Sequence, residues 1–340
     1  MSEMVIGTSA LPGADVPRIR QAHIGWVRQG FRFPFVDRLG GEISEDYRKA
    51  RAQAEAWRAA GLKVMGVSPL PVSSRWEPDA GGTLRLKWTP RLPEWCGPLG
   101  SEQYVRTYQA TCEWLAADLK GIVSMWQIAN ELDIEMFAGP LTPRQACELI
   151  AAGARGLKAA DPSLLVGHNP AGAPKAYFLF GRLYGCGDGL LDYCGVDGYY
   201  GTWAPGSPGD WAGRIAELHE LTGTKVLVNE WGFASRGDVA AHGEAPGVAN
   251  CQLRKWRHTW GPGHTPEGQG AFVREAFDAF RSRRDALLGV FFYRWEDQAR
   301  CWQCGSPDCP VETAWGLVDL EGRPKPSFEV FREGVERLSA

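Results

Sequence analysis

Short apolar runs recur along the chain, and each is followed by a stretch whose apolar positions return with helical spacing. The runs at 4–8, 26–33, 62–68, 123–131, 164–168, 193–200, 225–230 and 289–295 predict eight strands. The intervening patterns predict helices over 16–24, 45–60, 101–119, 143–160, 176–191, 210–221, 268–287 and 328–338, the one at 176–191 interrupted by glycines. Ser44 and Thr142 stand where N-caps belong, and Gly61 and Gly223 where helices stop. Strands that alternate with helices imply a parallel α/β fold. Eight such units imply a (β/α)8 TIM barrel, here a single domain over residues 1–340 with long loops on the top face.

Two of the strands end in an unusual way. Val123-Ser124-Met125-Trp126-Gln127-Ile128-Ala129-Asn130-Glu131 and Lys225-Val226-Leu227-Val228-Asn229-Glu230-Trp231 are apolar runs that stop at Asn-Glu. A parallel strand covered on both faces has no packing use for a carboxylate. The C-terminal strand ends of a barrel are, however, where catalytic groups sit. One such glutamate reads as a solvated terminus. Two, each preceded by Asn and each with a Trp close by, suggest a pair of carboxylates for glycosidic bond cleavage.

Three insertions lie on the same side of the expected barrel. Residues 69–99 carry Trp76, Trp88 and Trp95, and residues 234–266 carry Trp256, His258, Trp260 and His264. Long loops in a compact domain are usually functional, and the first is expected to form a wall of the cleft. The third, 296–315, holds Cys301, Cys304 and Cys309 in a C-x2-C-x4-C pattern. Three thiolates at that spacing can bind a structural zinc if Cys251, His258 or Cys96 supplies a fourth ligand. The competing reading is reduced loop thiols, or a disulfide formed on oxidation.

Composition narrows the class. The 340 residues include 15 Trp against 9 Tyr and 14 Phe. Indole rings stack on the apolar faces of sugars, although several of these must be core. The net charge is -3 and no Lys/Arg run marks a phosphate-tracking surface, so nucleic acid is not an expected partner. No apolar run reaches the roughly 18–20 residues of a membrane span. The N-terminal residues lack the basic and apolar regions of a signal peptide. Nine cysteines, an odd number, fit a reducing compartment. A cytoplasmic protein is expected.

On these residues the chain resembles glycoside hydrolase clan A, the barrel superfamily that includes cellulase-like and mannanase-like family 5 enzymes. The likeness rests on 126–131, 228–232 and 292–295, and on the run from Gly316 to Ser327 into the last helix. It implies Glu131 as general acid/base and Glu230 as nucleophile of a retaining double displacement, with carboxyls about 5–5.5 Å apart. It implies Asn130 as the partner of the sugar 2-hydroxyl. Arg28 matches the arginine beside the nucleophile, with Arg32, of the same strand parity, as its rival. Tyr199 matches a tyrosine that contacts the nucleophile; Asp197 stands where family 5 usually has His, which is closer to mannanase-like relatives. Trp295 matches the aromatic floor of the cleavage subsite. Trp203, Trp231 and Trp260 are candidates for outer subsites. His168 reads either as a hydrogen-bonding partner of substrate or acid/base, or as a structural histidine. No cofactor is expected for catalysis. The expected substrate is a β-linked oligosaccharide or glycoside rather than insoluble polymer. A carbohydrate-binding barrel without catalysis, and a transglycosylase using the same residues, are the alternatives.

Overall fold

A computed structural model describes residues 4–172, 174–185 and 189–340. Its strands are β1 (Val5–Thr8), β2 (Trp26–Gly30), β3 (Lys63–Val67), β4 (Val72–Pro78), β5 (Leu84–Pro90), β6 (Val123–Gln127), β7 (Leu165–His168), β8 (Tyr193–Gly198), β9 (Lys225–Trp231) and β10 (Leu287–Phe292). All but β4 and β5 close into a parallel barrel in the order β1-β10-β9-β8-β7-β6-β3-β2. The expected (β/α)8 barrel is therefore the fold. Its helices are α1 (Val16–Gln21), α2 (Glu45–Ala59), α3 (Glu102–Asp118), α4 (Glu135–Ala138), α5 (Pro143–Ala160), α6 (Pro174–Tyr184), α7 (Asp210–Thr222), α8 (Asn250–Leu253), α9 (Pro266–Ser282) and α10 (Pro326–Ser339).

Strand alternation builds two cores. Val5, Met65, Met125, Tyr193, Leu227 and Phe291 point into the barrel and fill it. Their neighbours Val64, Trp126, Val226, Val228, Val290 and Phe292 point outward against the helices. The filling is tight. A Cβ on Gly167 would fall 2.4 Å from the Tyr193 ring, so only glycine fits beside that tyrosine. Helix starts follow from local chemistry: Ser101 caps α3, and Thr142 with Gln145 forms a capping box on α5.

Three expectations change. The second strand stops at Gly30 rather than 33. Much of the 69–99 insertion is not a loop but the antiparallel hairpin β4–β5. The expected helix 176–191 is α6, which ends at Tyr184; residues 186–188 lie outside the described residues. Among the described residues no helix is long and apolar enough to cross a membrane.

Candidate active site

Past the end of β6 the chain turns through backbone that side-chain-bearing residues rarely adopt: φ is +50° at Ala129 and +44° at Glu131. Such strain persists only where the surroundings over-determine it. Here Ser68 Oγ accepts from the Ala129 N–H at 2.9 Å, and the Gln127 amide donates to the Ala129 carbonyl at 2.6 Å. The Asn169 carbonyl accepts from the Glu131 N–H at 3.0 Å. The turn leaves Glu131 only 8% exposed at the mouth of the barrel.

Glu230 reaches the same place by a different device. The pairings of β9 slip by one residue between Val228 and Glu230 against β8, and between Val228 and Trp231 against β10. This bulge breaks the alternation and re-aims the side chains that follow it. Asn229 turns inward to donate to Gln127 Oε1 at 2.9 Å, Glu230 enters the cleft, and Trp231 faces the helices.

Arg28 on β2 organises both glutamates. Its Nη1 lies 2.7 Å from Glu230 Oε1, its Nη2 donates to Asn130 Oδ1 at 2.5 Å, and its Nε donates to Gln127 Oε1 at 2.8 Å. Burial by itself favours the neutral guanidine, but Glu230, Asp197, Tyr199 and Glu131 outweigh it and raise the Arg28 pKa. The fork is thus a permanent cation against Glu230. Tyr199, whose own proton is held tightly by burial and the nearby carboxylates, donates its hydroxyl to Glu230 Oε2. Arg32 is exposed and borders a separate depression with Arg91, so it is not the partner. Replacing Arg28 with Gln is expected to lower kcat/KM about 100- to 1,000-fold. A loss under about tenfold would contradict this role.

Glu131 lives in the opposite environment. Burial first, and then the charges of Glu230 and Asp133, push its pKa well above the ordinary glutamate range, against the opposing pull of Arg28. Asp197 is likewise raised, first by burial and then by the charges of Glu230 and Glu131. Asn169 ties the pair to the rest: its Nδ2 donates to Asp197 Oδ2 at 2.5 Å and to Asn130 Oδ1 at 2.8 Å. Asn130 in turn places Nδ2 3.4 Å from Glu131 Oε2. One glutamate is therefore set against a cation, and the other is kept as an acid.

Both glutamates line a cleft of about 640 Å³. Tyr199, Trp203, Tyr293, Trp76 and Trp302 line it as well. Trp203 is partly exposed and braced edge-on against Trp256 at 5.3 Å. Trp302 sits on the cysteine loop, Trp76 on the hairpin and Asn250 on the 234–266 insertion, so all three expected insertions reach the cleft.

Other candidates lie elsewhere. Trp231 is fully buried among Phe277, Phe280, Phe292 and Phe331, because the bulge leaves it on the outer face. Trp231→Ala should therefore cost about 3–5 kcal/mol of stability in urea denaturation. A cost under about 1 kcal/mol would contradict this placement. Trp295 is 2% exposed and packs on Phe328 at 6.1 Å; it follows the end of β10, so strand parity no longer applies, and Tyr293 is the aromatic on the cleft. His168 lends Nδ1 to the Ile128 carbonyl at 2.7 Å, and its Nε2 meets no polar partner among the described residues. Burial lowers its pKa to about 4, so it is a neutral brace for the β6 turn and not a cleft residue. Trp260 packs on Phe233 and Phe272. Gln127 and Asn169 were not singled out from the sequence, and Asn229 was noted only as the residue before Glu230.

At the cleft's rim, Cys251 joins Cys301, Cys304 and Cys309, with the four Sγ atoms all within 4.8 Å of one another. His258 and Cys96 are not part of this group.

No family model matches the sequence, and no curated protein does. Solved structures do resemble the fold. The GH53 catalytic domain of Ignisphaera aggregans matches with a TM-score of 0.65 at 19% identity, over 97% of this chain and 96% of that one. A GH10 xylanase from Thermobacillus composti matches with a TM-score of 0.62 at 17% identity, over 98% and 97%. An exo-β-1,4-mannosidase from Opitutaceae bacterium strain TAV5 matches with a TM-score of 0.63 at 16% identity, over 99% of this chain but 60% of that one. At these identities the likeness establishes a shared barrel.

Proposed function

We propose that this chain is a retaining β-glycoside hydrolase of clan A that cleaves a β-linked oligosaccharide or glycoside. One observation carries the reading. Two strand-end glutamates line one cleft in opposed electrostatic settings, Glu230 against Arg28 and Glu131 buried beside other carboxyls. Opposed settings for two carboxyl groups are what divide nucleophile from acid. Two of the three solved barrels named above are a xylanase and an exo-β-1,4-mannosidase, which supports the same class.

In the first step the Glu230 carboxylate attacks the anomeric carbon while Glu131 gives its proton to the departing oxygen. The result is a glycosyl ester on Glu230 and a free alcohol. In the second step Glu131, now a carboxylate, takes a proton from water. The water oxygen displaces Glu230 and restores the β configuration. Asn130 uses its oxygen on Arg28, Gln127 and Asn169. Its amide N–H groups remain for the sugar 2-hydroxyl, apart from the 3.4 Å contact with Glu131. Tyr199, Trp203, Tyr293, Trp76 and Trp302 supply apolar faces for sugar rings. The chemistry needs only carboxyl groups and water, so no cofactor takes part.

The test is hydrolysis of a panel of aryl β-glycosides and β-linked oligosaccharides, with product stereochemistry read by NMR. Turnover with retention is expected on at least one sugar, and turnover with inversion would sink the proposal. The kcat/KM profile should be bell-shaped. Because burial and neighbouring carboxylates raise Glu131, the alkaline limb should lie above the ordinary glutamate range. A limb falling near pH ~4.3, the free glutamate value, would contradict Glu131 as the acid.

A further inference from the structure

We propose that Cys251, Cys301, Cys304 and Cys309 hold one zinc ion as four thiolates, and that this ion fixes the outer wall of the cleft. The spacing of the sulfurs is the first support. Cys251 Sγ and Cys301 Sγ are 3.8 Å apart, and all four Sγ atoms lie within 4.8 Å of each other. A disulfide needs about 2.05 Å. A tetrahedron with Zn–S bonds of about 2.3 Å has S···S edges of about 3.8 Å. The sulfurs therefore stand at the spacing of a tetrahedral metal shell and not at that of a disulfide.

The donor set is the second support. Four sulfurs with no carboxylate or water-bearing position suit a soft, tetrahedral ion rather than magnesium or calcium. A shell closed by four protein ligands leaves no site for substrate, so the role is structural. The local chain is shaped for it. Cys301, Trp302, Gln303 and Cys304 form a C-x2-C turn that closes on itself, with the Cys301 N–H donating to the Ser306 carbonyl at 2.9 Å and the Gly305 N–H to the Cys301 carbonyl at 2.7 Å. Gly305 takes φ +76°, which a residue with a Cβ resists, and so lets the chain reverse behind Cys304. Cys251 arrives from α8, 50 positions before Cys301. Trp256, Val311, Trp315 and Ala234 pack round the thiols in a small core separate from that of the barrel.

The ion would join two top-face segments and, through Gln303, the hairpin as a third. Three ligands belong to the segment after β10 and one to the segment after β9. Trp302 and Gln303, between two of the ligands, line the cleft, as does Asn250 beside Cys251. Gln303 also binds the hairpin: its carbonyl accepts from the Trp76 N–H at 2.8 Å and its Oε1 from Trp76 Nε1 at 3.2 Å. Arg28, Asn130 and Asn169 hold the carboxyl groups from the barrel side, and of their partners only Tyr199, edge-on to Trp315 at 5.0 Å, also touches the small core. Metal loss should therefore loosen the wall that grips substrate while leaving the reacting groups in place.

The metal test uses the purified full chain, incubated with zinc and freed of excess. Elemental analysis should find one zinc per chain. Cobalt substitution should give the near-ultraviolet thiolate-to-metal charge-transfer band and the intense visible bands of a tetrahedral site. Cys251→Ser and Cys304→Ser should each lose the metal, and Cys96→Ser should keep it. Should the ligand variants fail to fold, chelator titration of the wild type replaces them, and zinc removal should then lower the unfolding temperature. Less than about a tenth of an equivalent in the wild type, or full zinc retained in both ligand variants, overturns the site. The kinetic arm rests on the glycosidase reading. Removing zinc should raise KM about tenfold and leave kcat within about twofold on a small aryl glycoside. A fall in kcat at constant KM would overturn the wall assignment. Failure to turn over any glycoside would count against the glycosidase reading alone, because metal content and spectra are read without substrate.

Discussion

Glu230→Gln should reduce kcat on any glycoside the wild type cleaves by on the order of 10,000- to 1,000,000-fold. The amide keeps the shape of the side chain and can still meet Arg28 and Tyr199, so the fold should survive. What it loses is the electron pair that forms the glycosyl ester. No neighbour can replace it. Burial, which the substitution leaves in place, is the first cause that raises both Asp197 and Glu131, and the Asp197 Oδ2 is engaged by Asn169. The smaller variant Glu230→Ala makes the role explicit. Azide can enter the vacated space and attack the anomeric carbon directly, and the product should be a glycosyl azide of inverted, α configuration. Steady-state kinetics and NMR of the azide product check both statements. Activity within about tenfold of wild type in Glu230→Gln would remove Glu230 from the mechanism.

Glu131→Ala should show a loss that depends on the leaving group. General acid catalysis contributes about 100- to 10,000-fold, and it matters most when the departing oxygen is basic. Alkyl glycosides and oligosaccharides should lose activity over that full range. A dinitrophenyl glycoside needs no proton to leave, so its first step should survive and the glycosyl ester should accumulate. Added azide needs no general base and should restore turnover, giving a glycosyl azide of retained, β configuration. The alkaline limb of the pH profile should also vanish, since the group that titrates there is gone. An equal loss for activated and unactivated leaving groups would mean that Glu131 holds structure or substrate and does not donate the proton. The two azide products have opposite configurations, which separates the two glutamates in one assay.

Much of this site can be read from the sequence, for a physical reason. Parallel barrel strands are buried on both faces and so appear as apolar runs. Against such runs Glu131 and Glu230 stand out, and the resemblance to clan A adds Arg28 and Tyr199. What escaped detection depends on backbone geometry or distant contacts. The bulge at Asn229–Glu230 has no sequence marker, yet it decides that Glu230 enters the cleft and that Trp231 joins the helix-side core. Trp295 was placed by its match to the aromatic floor of clan A, but β10 ends at Phe292 and the chain beyond it turns the ring onto Phe328. The hairpin β4–β5 was hidden by a composition that reads as loop, although Leu84–Pro90 alternates apolar and polar residues. Asn169 and Gln127 gain meaning only when β2, β6 and β7 meet. The three clustered cysteines were visible, but several residues could have been the fourth partner; folding brings Cys251 to them across 50 positions.

The most direct test of the proposed chemistry is to trap the glycosyl ester. A 2-deoxy-2-fluoro β-glycoside with a dinitrophenyl leaving group, built on the preferred sugar, slows both steps by destabilising positive charge at the anomeric carbon. Its good leaving group lets the first step outrun the second. Intact mass should rise by one fluoroglycosyl unit, and peptide mapping should place the label on Glu230. A label on another residue would contradict this assignment. So would an unlabelled protein that still cleaves the parent glycoside with inversion.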